Sequence, residues 1–491
     1  MTPHLLLACA ALLLATTSPG AGVPPVPIPQ DPNAGGVPGF IGSPATPSPV
    51  RGAAVPRHPF MAPNGLSNIH DDAYMTDAYV SGGPLGVASE VRSTQQNAEC
   101  ASVTFDSRGR VVTICVGVEG PRLVMIDPAT LSTEAVFPLP PRSGGGSVFS
   151  DFSGGGYFYL DEQDRAVVPT NSRQLWVVAE TESPLGPGFA VVRVHDLALV
   201  VPPGDGIISV LPDWRGLLWF VTVNGIVGTV EPATGAVATL RLSGEAVGNS
   251  FAVDGTGGVF IVSDHALYRF DAGAAGEPTV TWREVYDRGI RLKPGQTNFG
   301  SGTTPTLMGG RWVAITDNAD PQMHVLVYRR AAAVSGARLV CQEPVFAAGR
   351  SATENSLMTN GRSLVVENNY GYTGPAATLH GASTEPGISR IDVGRAGCRT
   401  VWTSGERVPS TVSKLSLGNG LVYGYTKDPD PAGIDAWYLS AISFRTGETV
   451  YKQLVGTGFG YNNNYAPVSL APDGTAYVGV LAGLTQIRDR P

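Results

Sequence analysis

A short hairpin unit returns along most of this 491-residue chain and limits the folds open to it. In each copy an alternating strand meets a turn rich in Gly, Asp or Asn, and a more apolar strand follows. Copies occur at 101–116 (ASVTFDSRGRVVTICV), 208–223 (ISVLPDWRGLLWFVTV), 250–264, 305–317, 355–369, 413–426 and 467–481. An eighth, less regular copy lies at 157–180. Several are followed by a second hairpin with its own turn, as at 125–136 (MIDPATLSTEAV), 229–240, 269–282 and 442–454. A period of roughly 40–60 residues suits four-stranded propeller blades better than solenoid repeats. One twisted sheet cannot bury both its faces, whereas a ring of stacked sheets covers them all.

The predicted fold is therefore all-β, a propeller of eight four-stranded blades, with seven as the alternative. The final copy supplies only about three strands before Pro491, so a segment near Tyr74–Val91 is expected to close the ring as the missing outer strand. Two separate β-sandwiches would not call for eight similar hairpins in series. Composition agrees: charged residues are only 15%, while Gly (62) and Pro (40) are plentiful, as short strands and tight turns require.

The turns Asp127-Pro128-Ala129-Thr130 and Glu231-Pro232-Ala233-Thr234-Gly235, with the Asp-Gly hairpins, resemble the YVTN/NHL and quinoprotein-like propeller superfamily. The resemblance extends over most of the chain from about residue 100 and implies a fold, not an activity. Quinone enzymes of that group carry adjacent half-cystines and tryptophan docking motifs; neither is found here, so no quinone cofactor is expected. CxxCH spacing and a P-loop are likewise missing, and neither haem nor a nucleotide cofactor is expected.

Residues 1–21 read as a signal peptide, with an apolar run from Leu5 to Ala15 followed by small residues. Residues 22–65, dominated by Pro, Gly, Ala and Val, read as a flexible or polyproline-like leader. Residues 66–491 then form one propeller domain. No later stretch approaches the ~20 apolar residues that span a bilayer. These features predict a secreted, extracellular or periplasmic monomer. In such an oxidising compartment Cys100, Cys115, Cys341 and Cys398 are expected as two disulfides. Counting outward from the Ser107-Arg108 turn sets Cys100 opposite Cys115, which leaves Cys341 with Cys398.

A net charge of -8 and the lack of a basic stretch argue against nucleic acid as a partner. In a propeller, the loops leading into each innermost strand and the loops between second and third strands share one face. Here they are rich in carboxylates and amides. The second-to-third-strand set includes Glu180, Glu182, Asp264, His265, Asp317, Asn318, Asp320, Glu367, Asn368, Asn369, Tyr370, Asp428 and Asp430. Loops leading inward supply Asn249, Asn298, Glu354, Asn355, Asn463 and Tyr465. Such a mouth suits Ca²⁺, which takes six to eight oxygen ligands, or the hydroxyls of a small molecule or carbohydrate stacked on Tyr370 or Tyr465.

Glu367, Asp317 and His70 are the candidate catalytic groups, and Glu354 and Asp264 the candidate metal ligands. Asn318, Asp320, Asn355, Asn368, Asn369, Tyr370, Asn463 and Tyr465 are candidate ligand contacts. Each of these taken singly also suits a tight turn, since Asn and Asp tolerate left-handed backbone and bond their own main chain. Secreted lactonases of the gluconolactonase-like type are similar in placing Glu, Asn and Asp around a metal at such a mouth, though no contiguous motif matches. The functional expectation is a binding propeller, with metal-assisted hydrolysis or lysis as the reaction class it would suit. A non-catalytic interaction scaffold is the alternative. His195 and His324 fall in outer-half strands; His380 sits in a long loop, 371–386, placed to cover the mouth.

Overall fold

The structure, a computed structural model, describes residues 22–142, 149, 153–184 and 186–490. The expected signal peptide lies outside the described residues. Eight sheets, each built on four antiparallel strands, form an eight-bladed propeller. From the first to the seventh they span 98–138, 159–196, 207–241, 252–285, 306–344, 358–404 and 414–457. The eighth consists of Val468–Leu470, Ala476–Val480 and Gly483–Arg488, completed on its outer edge by Glu90–Gln95. Glu90 faces Arg488 and Gln95 faces Gly483, so strands from the two ends of the ring share one blade. The closing strand expected near Tyr74–Val91 thus exists, and its pairing lies slightly later.

Local chemistry explains why the hairpin unit repeats. In blades 1 to 4 the turn after the innermost strand begins with an aspartate: Asp106, Asp161, Asp213 or Asp254. One oxygen of each carboxylate accepts backbone N–H groups two and four residues on, as Asp106 Oδ1 does from Arg108 (3.0 Å) and Arg110 (2.7 Å). The fourth residue of these turns takes left-handed backbone, with φ of 83° at Gly109 and 89° at Gly216. Glycine enters that region without a steric penalty. Blades 1, 3 and 4 thus share an Asp-x-x-Gly turn, and blade 2 sets Asp164 (φ 59°) in the glycine's place.

Between blades the apolar faces interlock. Trp219, Phe220, Phe251, Phe260 and Phe270 are fully buried in one continuous core across blades 3 and 4. Tyr425 stacks on Trp437 at 5.4 Å in blade 7. Burying one such side chain stabilises by about 1.5–3 kcal/mol. Both disulfides form. Cys100–Cys115 bridges directly opposed positions within blade 1, and Cys341–Cys398 joins the outermost strands of blades 5 and 6.

Residues 22–65 depart from the flexible leader expected of them. Val23 N donates to Thr133 O (2.8 Å) on blade 1. Phe40–Gly42 adds an edge strand to blade 7, with the Phe40 ring 5.4 Å from that of Tyr451. Ser48 N and Val50 N donate to Asn419 O and Leu417 O on the underside of blade 7. The His58 ring then lies 4.1 Å from that of Trp214 on blade 3. Proline explains the difference: its fixed φ leaves an extended chain little backbone freedom to lose on docking, while its carbonyls still pair.

Candidate functional site

The N-terminal chain does not stop at the rim. Residues 66–79 circle the inside of the channel, and their carbonyls accept N–H groups from successive innermost strands. Leu66 O takes Phe105 N, Ser67 O takes Leu160 N, Ala73 O takes Val253 N, and Tyr74 O takes Leu307 N. Thr76 O then takes Thr359 N, and Asp77 O takes Leu415 N. Ala78–Tyr79 finally runs parallel to Lys414–Ser416 as an extra strand inside blade 7. Phe105, Leu160 and Val253 end their strands, so this inner arm lies at the end of the channel nearest the first hairpins. Following so tight a circle puts Asp71, Met75 and Asp77 in left-handed backbone, at φ 81°, 56° and 52°. Each such residue costs of order 1–3 kcal/mol and persists only where its surroundings hold it.

Above the arm, on the side of the polar mouth, is a cavity of about 50 Å³. Six side chains define its chemistry: His70 from the arm, with Tyr157, Asn249, Glu354, Asn355 and Tyr465 from loops leading into innermost strands. His70 is 2% exposed. Its Nδ1 lies 3.1 Å from Asp77 Oδ1, and its Nε2 has no hydrogen-bond partner among the described residues. The Lys414 ammonium donates to the same Asp77 oxygen and to Ile69 O (2.6 Å). Burial would raise the Asp77 carboxyl, but Lys414 and His70 outweigh it and hold it below its ordinary value. The Asp77 carboxylate takes up Nδ1, so Nε2 is the ring nitrogen left for the cavity.

Asn355 is oriented by similar logic. Its amide nitrogen donates to Glu367 Oε2 and to Thr411 O (2.8 Å), so its Oδ1 is the free atom, and Oδ1 is buried without a partner. Glu354 accepts from the hydroxyl and the backbone N–H (3.1 Å) of Thr297; burial pushes its carboxyl up to about 7. Burial also lifts Glu367 to about 7, although Ser413 N (2.8 Å) and Asn355 donate to it. Tyr157 gives its hydroxyl proton to Asn249 Oδ1 (3.1 Å) and stacks beside His70 at 6.1 Å. Two polar atoms without a partner among the described residues, His70 Nε2 and Asn355 Oδ1, therefore belong to side chains that line one small cavity.

His70, Glu354, Asn355 and Tyr465 thus meet at the cavity, with Glu367 directly behind Asn355. The remaining sequence candidates sit on the same face but hold its loops. Asp317 accepts from His324 N (2.6 Å) and lies 2.8 Å from His324 Nδ1. Asn318 donates to Arg288 O and Arg291 O, and Asp320 pairs with Arg291 and Lys293. Asn368 and Asn369 bridge backbone carbonyls around 350–408, and Tyr370 is half-buried. Asn463 donates to Ala466 O and Gly479 O, while Asp264 pairs with Arg288 and His265. No group of three His, Cys, Asp or Glu side chains spaced to hold a metal occurs among the described residues.

Glu180 and Glu182 are a correction. They belong to the long third strand Gln174–Ser183 of blade 2, and they pair with Arg110 and Arg108 on the opposite, hairpin face. The short innermost strand of that blade, Tyr159–Leu160, shifts the reading by one strand. The 371–386 loop does lie over the mouth. Tyr372 donates to Asn463 O (2.8 Å) and meets Tyr465 edge-on at 5.4 Å, while Asp435 accepts from His380 N and Gly381 N. Sequence reasoning missed Asp77, Lys414 and Tyr157. A lysine inside the innermost-strand motif SKLSL, where the neighbours are apolar or small, was the available signal for Lys414.

No family model matches the chain. An uncharacterized protein from Archaeoglobus fulgidus is 27% identical over 320 residues, covering 58% of this chain. The chain spans 61% of that relative's length. Among solved structures, a chain from a mitotic checkpoint complex aligns over 72% of this chain and 98% of its own, at 12% identity and TM-score 0.40. A protein from Lactobacillus plantarum aligns over 69% of this chain and 92% of its own, at 12% identity and TM-score 0.40. A functionally unknown protein from Desulfotomaculum acetoxidans aligns over 69% and 95%, at 14% identity and TM-score 0.39.

Proposed function

We propose that this is an exported propeller that binds a small hydroxyl-bearing molecule, such as the end of a carbohydrate, in the cavity between the inner arm and the polar mouth. One observation carries the reading: His70 Nε2 and Asn355 Oδ1 are both buried, both lack a partner among the described residues and both belong to side chains of the same cavity wall. Buried polar atoms without a partner cost about 1–3 kcal/mol each, and a ligand hydroxyl, which both donates and accepts, removes that cost. A volume near 50 Å³ admits a hydroxymethyl group or one or two waters, so the rest of the ligand lies toward the mouth. The His70–Asp77 pair is also arranged as an oriented base is in hydrolases and lyases, with Nε2 able to take a proton from a bound hydroxyl.

Titration calorimetry with glycerol, xylitol and glucose tests this on the full chain. Saturable binding of at least one is expected, weakened about tenfold by Asn355→Leu or His70→Ala, since one hydrogen bond is worth roughly 0.5–1.5 kcal/mol. No binding, or binding that neither variant changes, overturns the reading. Repeating the titrations with calcium and with a chelator tests the metal expectation. A scaffold reading draws on Ile290 (93% exposed), Leu292 and Phe299, apolar side chains held outward by the loop between blades 4 and 5.

A further inference from the structure

The inner arm has a second side. Below it, toward the hairpin face, opens a separate cavity of about 500 Å³. The strap Val50–Val55 walls it on one side, and the hairpins of blades 5, 6 and 7 wall it on the others. We propose that this cavity binds an organic ammonium ion, a primary amine on an aliphatic stem.

Asp71 and Asp72 form its polar floor. Asp71 is 3% exposed and its Oδ1 has no partner among the described residues. Asp72 is engaged, since Tyr74 N (2.8 Å) and the Thr76 hydroxyl (2.5 Å) donate to its two oxygens. Lys414, the cation behind them, spends its ammonium on Asp77 and Ile69 O. No Lys, Arg or His belongs to the described residues that line the cavity. Its walls combine small aliphatic side chains, Val50, Ala53, Leu307 and Leu417 among them, with the neutral polar groups of Asn64, Thr359 and Asn360.

A floor of carboxyl groups beside aliphatic side chains suits a compact point charge carried on a methylene chain. A divalent metal fits less well. Calcium requires six to eight oxygens, and with Asp72 already bonded the floor offers chiefly the free Asp71 oxygen. Burial, then the neighbouring Asp72, lifts the Asp71 carboxyl well above its ordinary value, and burial lifts Asp72 to about 7. A cation bound beside them favours the ionised forms.

The test is calorimetry on the full chain at pH 7.5 and low salt. The probes are n-butylamine, 1,4-diaminobutane, n-butanol as the uncharged analogue, and calcium chloride. Saturable binding of an amine but not of butanol is expected. Asp71→Asn should weaken it at least tenfold, and so should Ala53→Trp, which fills the cavity from the strap without touching a carboxylate. Should Asp71→Asn fail to fold, Ala53→Trp alone decides. His70→Ala and Asn355→Leu should leave amine affinity within twofold, which separates this site from the hydroxyl-binding cavity above. The proposal is overturned if no amine binds, if amine binding survives both cavity variants, or if Asp71-dependent binding is seen for calcium alone.

Discussion

Which polar atoms are already partnered decides what each side chain around the channel can do. Lys414 and Asp77 are each 0% exposed, and removing one member of such a pair leaves a buried charge uncompensated. Lys414→Met should therefore lower the unfolding free energy by about 3–5 kcal/mol in urea melts, and Asp77→Asn added to it should recover part of the loss. Glu354 gives a pH signature. Its folded value of about 7 lies above the ordinary 4.5, so the native state binds the proton more tightly than the unfolded chain does. Stability from this group is complete below about pH 4.5 and is lost as pH rises through 7, to a total of roughly 3 kcal/mol. Denaturation at pH 5 and pH 8 should show that loss in the native sequence. Glu354→Gln, whose amide oxygen can still accept from Thr297, should show less of it. The sequence places Glu354 and Asn355 near the axis because propeller topology gathers those loops, and His70 because it opens the propeller domain. It could not show that Asp317 and Asp264 spend their carboxylates, and Asn318 its amide nitrogen, on holding neighbouring loops, since partners outside the local turn leave no local pattern.

Individual hairpins carry the repeat through their aspartate turns, and this level was the most legible. Asp213 accepts from Arg215 N (2.8 Å) and Leu217 N (3.1 Å) and also takes the Trp219 indole N–H (3.3 Å). Asp213→Ala orphans those donors and should cost about 1–3 kcal/mol, read from urea melts. Turns rich in Gly, Asp or Asn and alternating apolar residues are local signals, so seven of the eight hairpin copies could be set on their strands directly. Blade 2 defeated that reading because its innermost strand has only two residues, Tyr159 and Leu160. Disulfides act between elements as well. Cys341–Cys398 closes a 57-residue span, against 15 for Cys100–Cys115. In the chain-entropy picture they contribute about 4 and 3 kcal/mol. The double serine variant of the 341–398 pair should lose more stability in urea melts than that of the 100–115 pair; equal losses would contradict the entropic ordering.

Over the whole molecule the N-terminal chain is the organising element. It edges blade 7, crosses the hairpin face, circles the channel from Leu66 to Tyr79 and then supplies the outer strand of blade 8. Composition concealed this path: a segment poor in strand formers and rich in proline carries no periodicity, and its partners are the blades rather than itself. The arm separates the channel into the two cavities to which ligands are assigned above, so both depend on its position. Hydrogen exchange read by mass spectrometry tests that position directly. Within the arm, Asp71 N, Met75 N and Asp77 N donate to Asn68 O, Asp72 O and His70 O, and these residues are buried. Peptides spanning 66–79 should then exchange as slowly as the innermost strands, over hours. Exchange of that segment within seconds, while the blades stay protected, would contradict an arm seated in the channel.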